Sequence, residues 1–105
     1  MLGEFEQMVL MAILREGDDA YGVTIRGAIL ERAGRDVSLA AVYKTLTRLE
    51  DKGLVTAAVG EPTAERGGRR KRYYSVTAAG RRSLHQSVEA LRRMARGLDL
   101  GLEPR

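Results

Sequence analysis

A chain of 105 residues holds one small domain, and 44% hydrophobic with 30% charged residues is the composition of a folded protein rather than a disordered one. No cysteine and a single histidine, His85, leave no material for disulfides, a zinc ribbon, a thiol nucleophile or a Ser-His-acid site, so neither metal nor cofactor is expected. The net charge of +4 divides unevenly: residues 1–65 carry seven basic and eleven acidic side chains, residues 66–105 eleven basic and three acidic, which points to a polyanionic partner.

The longest apolar run, Met8 to Leu14, is far short of the ~20 residues that span a membrane. The start, Met-Leu-Gly-Glu-Phe-Glu, is acidic where a signal peptide is basic, so an uncleaved cytoplasmic protein is expected. A first helix is predicted from about Glu4 to Arg15, stopped by Gly17. Phe5, Met8, Val9, Ala12 and Ile13 form its apolar stripe, while Leu10, Met11 and Leu14 lie off it. Such a helix is expected to be covered twice, by its own domain and by something else.

Asp18 or Asp19 is placed to cap a second helix through Arg32, with Tyr21, Ile25 and Ile29 on one face and Gly34 just past its end. Gly22 and Gly27 each weaken a helix by ~1 kcal/mol relative to Ala, and their small size suits close helix contact instead. The third helix is the clearest: Ser38 caps it, Leu39, Val42, Leu46 and Leu49 form a core stripe, and Gly53 ends it. Ala40, Lys44, Thr47, Arg48 and Asp51 fall on the opposite side, with Tyr43 at the flank.

Strands are predicted over residues 54–59 and 71–76, joined by a long loop from Gly60 to Arg70. Thr77 then caps a final helix in which Leu84, Val88, Leu91, Ala95 and Leu98 are spaced as a two-heptad seam. That seam either folds back on its own domain or takes a second copy of the chain. The surplus apolar surface of the first helix favours the second copy, giving a homodimer interface of Phe5, Val9 and Ile13 with Leu84, Val88, Leu91, Ala95 and Leu98. The architecture expected is mainly α with a small antiparallel β-hairpin: a winged helix-turn-helix over residues 1–77, a C-terminal dimerisation helix over 78–98, and a disordered tail over 99–105.

Enzymatic chemistry finds no support, because the carboxylates sit at helix starts or on polar faces and the Asp18–Asp19 pair reads as a cap. Gly67-Gly68 before Arg-Arg-Lys lacks the Gly-Lys-Ser/Thr ending of a phosphate loop and lies between strands. Double-stranded DNA fits better as a partner. A capped helix after a short turn is the shape of a recognition helix, on which Lys44 and Arg48 can reach guanine edges, while Tyr43 and Thr47 can reach bases or phosphates. The hairpin that follows carries Arg66, Arg69, Arg70, Lys71 and Arg72, with Tyr73 beside them, and Gly68 lets its backbone approach the sugar-phosphate chain. The rival reading is an interaction module whose basic wing meets an acidic protein.

Four stretches carry a family resemblance: Leu2 to Leu14, Asp19-Ala-Tyr-Gly-Val23, Ser38 to Val55, and Gly67 to Gly80 with its Gly-Gly-basic-Tyr-Tyr wing. Together they resemble the PadR-like winged-helix transcriptional regulators, in the short branch with one C-terminal helix. The resemblance implies a dimeric bacterial repressor on an inverted repeat. Ser38, Tyr43, Lys44 and Arg48 match the family's recognition-helix positions, and Arg69, Arg70 and Lys71 its wing. It implies a final helix packed on the partner's first helix and, in some members, release of DNA by a small hydrophobic or phenolic effector near the dimer interface. This chain departs in having no Trp and no aromatic residue in its final helix, so an aromatic stacking pocket there is not expected.

Overall fold

The computed structural model describes residues 2–62 and 70–101. In chain order they form α1 (Glu4–Glu16), a 3-10 turn (Gly17–Asp19), α2 (Gly22–Ala33), α3 (Leu39–Asp51), β1 (Val55–Pro62), β2 (Arg70–Val76) and α4 (Ala78–Ala95). This is a winged helix: mainly helical, with one antiparallel hairpin, as the sequence predicts. Residues 66, 68 and 69 of the expected wing, and the tail from residue 102, lie outside the described residues.

Each helix starts where its local chemistry dictates. Gly3 caps α1 and its N–H donates to Glu6 Oε1 at 3.0 Å. Ser38 Oγ accepts from Ala41 N, and Thr77 Oγ1 from Gly80 N, both at 3.0 Å. The start of α2 differs from expectation. Gly17, at φ 59°, turns the chain into the 3-10 segment, and Tyr21 rather than an aspartate is the cap. Its N–H donates to Thr24 Oγ1 at 3.0 Å, and Thr24 Oγ1 donates in turn to the Asp19 carbonyl. Ala20 is thereby free to accept from Tyr74 N at 2.8 Å, which ties the start of α2 to the wing.

The core gathers Val9, Leu10, Ala12 and Ile13 of α1, Ile25 and Ile29 of α2, Val42, Leu46 and Leu49 of α3, Val55 and Tyr74 of the hairpin, and Leu84 of α4. Each fully buried Leu, Ile or Val contributes about 1.5–3 kcal/mol of burial free energy, and α1, packed against α2, α3, β2 and α4, is central to the domain. That position corrects two expectations. Val9 and Ile13 are 0% and 2% exposed, consumed by their own core rather than left for a partner, and Leu84 is buried with them. Leu39, expected in the core, is exposed, at the very first position of α3 where the helix has only begun.

Val55 pairs with Val76 and Ala58 with Tyr73, and the register slips between Val59 and Pro62. Gly80 sits against the Leu54 carbonyl, where any side chain would overlap backbone. Helix α4 leaves the domain from that contact; its 18 residues span about 27 Å. Its far half stands clear of the body, which stretches the molecule to 52 × 27 × 21 Å.

Candidate nucleic-acid interface

Helix α3 presents a polar side free of the core. Ala40, Lys44, Thr47, Arg48 and Asp51 are all exposed, as their spacing predicts. No carboxylate among the described residues lies within ion-pair reach of Lys44 or Arg48, or of exposed Arg70 at the root of the wing. Cations left unpaired on a rigid helix are available to phosphates and base edges.

Four contacts hold this helix in place. At its start, Arg26 Nε donates to the Val37 carbonyl at 2.6 Å and Arg26 Nη2 pairs with Asp36 at 3.1 Å, which fixes the turn from α2. Along its flank Tyr43 lies on Gly22, where a Cβ would overlap the tyrosine ring. This is the close helix contact that the glycine suggests; Gly27 has open space around it. Toward its end Glu50 accepts from Arg72 Nη2 with both oxygens, at 3.2 and 3.0 Å, joining α3 to β2. At its C-cap, Lys52 Nζ reaches Glu6 Oε2 at 2.8 Å.

The wing's root is equally anchored. Tyr73 meets Tyr21 edge-on, with ring centroids 5.6 Å apart and planes at 73°, and covers Gly60 across the hairpin. Lys71 Nζ stands 4.5 Å from the Tyr21 ring centroid and 3.4 Å from its hydroxyl. Lys71 and Tyr73 are therefore half-buried packing residues at the base of the wing, while Arg70 is exposed. Arg72 is occupied as a clamp; the Glu50 hydrogen bond holds its guanidinium above its ordinary range. Burial pushes the Tyr74 phenol up, so it stays protonated beside that clamp.

Sequence reasoning missed Glu6. It is 8% exposed, and the Lys52 hydrogen bond, helped by Gly3 N–H, holds its carboxyl below the usual carboxylate range against the opposing effect of burial. The Gly3-x-x-Glu6 capping spacing is visible in the sequence, but its second partner is 46 residues away.

The profile of the transcriptional regulator PadR-like family matches residues 9–86. The chain belongs to the PadR-like family. An uncharacterised protein of Lysinibacillus sphaericus is 30% identical over 103 residues, which is 96% of this PadR-like chain and 90% of that protein. Among solved structures, a transcriptional regulator from Clostridium thermocellum aligns at TM-score 0.71 and 25% identity, covering 86% of this chain and 84% of that one. Bacillus subtilis PadR, solved in complex with operator DNA, aligns at TM-score 0.68 and 23% identity over 81% of this chain and 46% of that one. Both share the PadR-like fold seen here.

Two surfaces of this PadR-like protein bear on the expected dimer. On α4, Leu91, Met94 and Leu98 are 61%, 77% and 63% exposed, whereas Val88 and Ala95 are half-buried. Leu98 lies past the helix end, after Gly97 at φ 83°. On the body, a groove of about 330 Å³ runs between α1 and α2, floored by Met8, Met11, Ala12, Ala28 and Ile29. Of the three α1 residues expected at a dimer interface, only Phe5 is partly exposed.

Proposed function

We propose that this protein is a DNA-binding transcriptional regulator that acts in the cytoplasm as a homodimeric repressor on an inverted-repeat operator. The observation that carries this reading is the exposed side of α3, where Lys44 and Arg48 stand without carboxylate partners on a helix fixed at both ends. Two copies related by a two-fold would place these helices in successive major grooves about 34 Å apart. Ser38, Tyr43 and Thr47 would flank the base contacts, and Arg70, with Arg66, Gly68 and Arg69, would follow the phosphates.

The dimer reading is supported by apolar surface that one copy leaves uncovered. Leu91 and Met94 of α4, and Leu98 just past its end, are exposed apolar side chains, and the α1–α2 groove is an apolar surface that could receive them from a second copy. The same groove supports the reading that a small hydrophobic effector competes for that space. Binding to a mixed-sequence duplex, measured by fluorescence anisotropy across salt concentrations, tests the first claim. If each subunit neutralises about four phosphates, log K against log[salt] falls with a slope near −7. A slope near zero would favour an acidic protein as the partner of the basic wing.

A further inference from the structure

A series of polar contacts links α4, the N-terminus and the end of α3, and only its Gly3–Glu6 step serves as a helix cap. Ser87, buried on α4, accepts from Leu2 N at 3.4 Å. Gly3 N donates to Glu6 Oε1, and Glu6 Oε2 accepts from Lys52 Nζ at 2.8 Å, at the C-cap of α3. A capping box uses one acceptor oxygen at Glu6, which a neutral glutamine also supplies. The second oxygen is the one that Lys52 Nζ engages. One helical turn before Lys52, on the same side of α3, stands Arg48. Glu6 feels its charge as well: Arg48 adds to the lowering of the carboxyl's pKa, though less than Lys52 does.

A buried carboxylate left without its cation is costly, and it is relieved by the nearest cation able to reach it. We infer that the Glu6–Lys52 pair is a positioning device that keeps Arg48 on the recognition face by satisfying a buried carboxylate that would otherwise draw it away. With Lys52 in place, the guanidinium of Arg48 has no carboxylate among the described residues to pair with. Without Lys52, Glu6 becomes a competitor to DNA for Arg48. This inference rests on the reading of α3 as the recognition helix.

The test is a five-member set in the full chain: wild type, Lys52→Met, Lys52→Arg, Glu6→Gln, and Lys52→Met with Glu6→Gln. Each is titrated against the duplex that the wild type selects and against a mixed duplex. Lys52→Met is expected to lose about tenfold of the preference for the selected duplex, the order of one base-reading contact. Adding Glu6→Gln is expected to restore it to within about threefold of wild type, because glutamine still accepts from Gly3 N and no longer attracts Arg48. Glu6→Gln alone and the conservative Lys52→Arg are expected to keep the wild-type preference, and thermal melting of each confirms a folded chain. A double variant no better than Lys52→Met overturns the inference. So does a wild-type salt slope that drops by about one in Lys52→Met and stays down in the double variant, since Lys52 would then be a phosphate contact. A wild type with no preference for any duplex overturns the DNA-binding reading itself, and the inference with it.

Discussion

Tyr43 of α3 rests on Gly22 at the start of α2, so closely that a single methyl group at residue 22 would overlap its ring. Gly22 is buried, and the three atoms nearest to a Cβ built there all belong to the Tyr43 side chain. Replacing Gly22 by Ala raises helix propensity by about 1 kcal/mol, but the overlap costs about 1–3 kcal/mol and displaces Tyr43. The expected outcome for Gly22→Ala is a lower melting temperature together with reduced preference for the selected duplex. A melting temperature at or above wild type would mean that Tyr43 swings aside freely and sets nothing in α3.

Lys44, Arg48 and Arg70 are all exposed cations, yet they sit on different elements and should fail differently. Lys44→Ala or Arg48→Ala is expected to cost about 1–3 kcal/mol on the selected duplex and little on a mixed one. Arg70→Ala is expected to weaken both alike and to reduce the salt slope by about one. Anisotropy titrations on the two duplexes separate these outcomes.

Much of this arrangement is legible in the sequence. The extent of α3 follows from Ser38 and the spacing of Val42, Leu46 and Leu49, and its exposed side emerges as predicted because a helix with one apolar stripe has one way to lie on a core. What escapes the sequence is which apolar side faces which neighbour. Helix α1 is apolar on more than one side, and that pattern fits equally a helix shared with a partner and a helix enclosed by its own chain. The structure shows the second for Val9 and Ile13. Residue type misleads similarly at Lys71 and Tyr73, whose chemistry suits DNA but whose side chains are engaged by Tyr21, 50 residues away from Lys71. The Ala20 carbonyl that accepts from Tyr74 N has no side-chain signature at all, so the displaced start of α2 could not be read in advance.

Acid should loosen the Glu6–Lys52 link. Lys52 holds the Glu6 carboxyl below its ordinary value of 4.5, so this group's contribution to stability is complete above that value and is lost as pH falls through the lower, folded one. Denaturant unfolding between pH 7 and pH 3 should show wild type losing more stability than Glu6→Gln over that window. Parallel losses in the two proteins would contradict the pairing.

Dimerisation through α4 makes a prediction at its exposed end. Leu91→Asp combined with Met94→Asp leaves the buried half of the helix intact, since both residues project from the body. Sedimentation should show a folded monomer, and affinity for an inverted repeat should fall by about a hundredfold, the advantage that a second tethered half-site provides. A variant that remains dimeric would place the interface elsewhere.

The most direct measurement is selection of bound sequences by the full chain from a random duplex library at moderate salt. The account predicts an inverted repeat whose half-sites are centred about one helical turn apart, and loss of that pattern when Lys44 and Arg48 are both replaced by Ala. Recovery of no shared sequence, with binding that vanishes uniformly as salt rises, would leave α3 as an ordinary solvated helix and contradict the assignment of its exposed side as a reader of DNA.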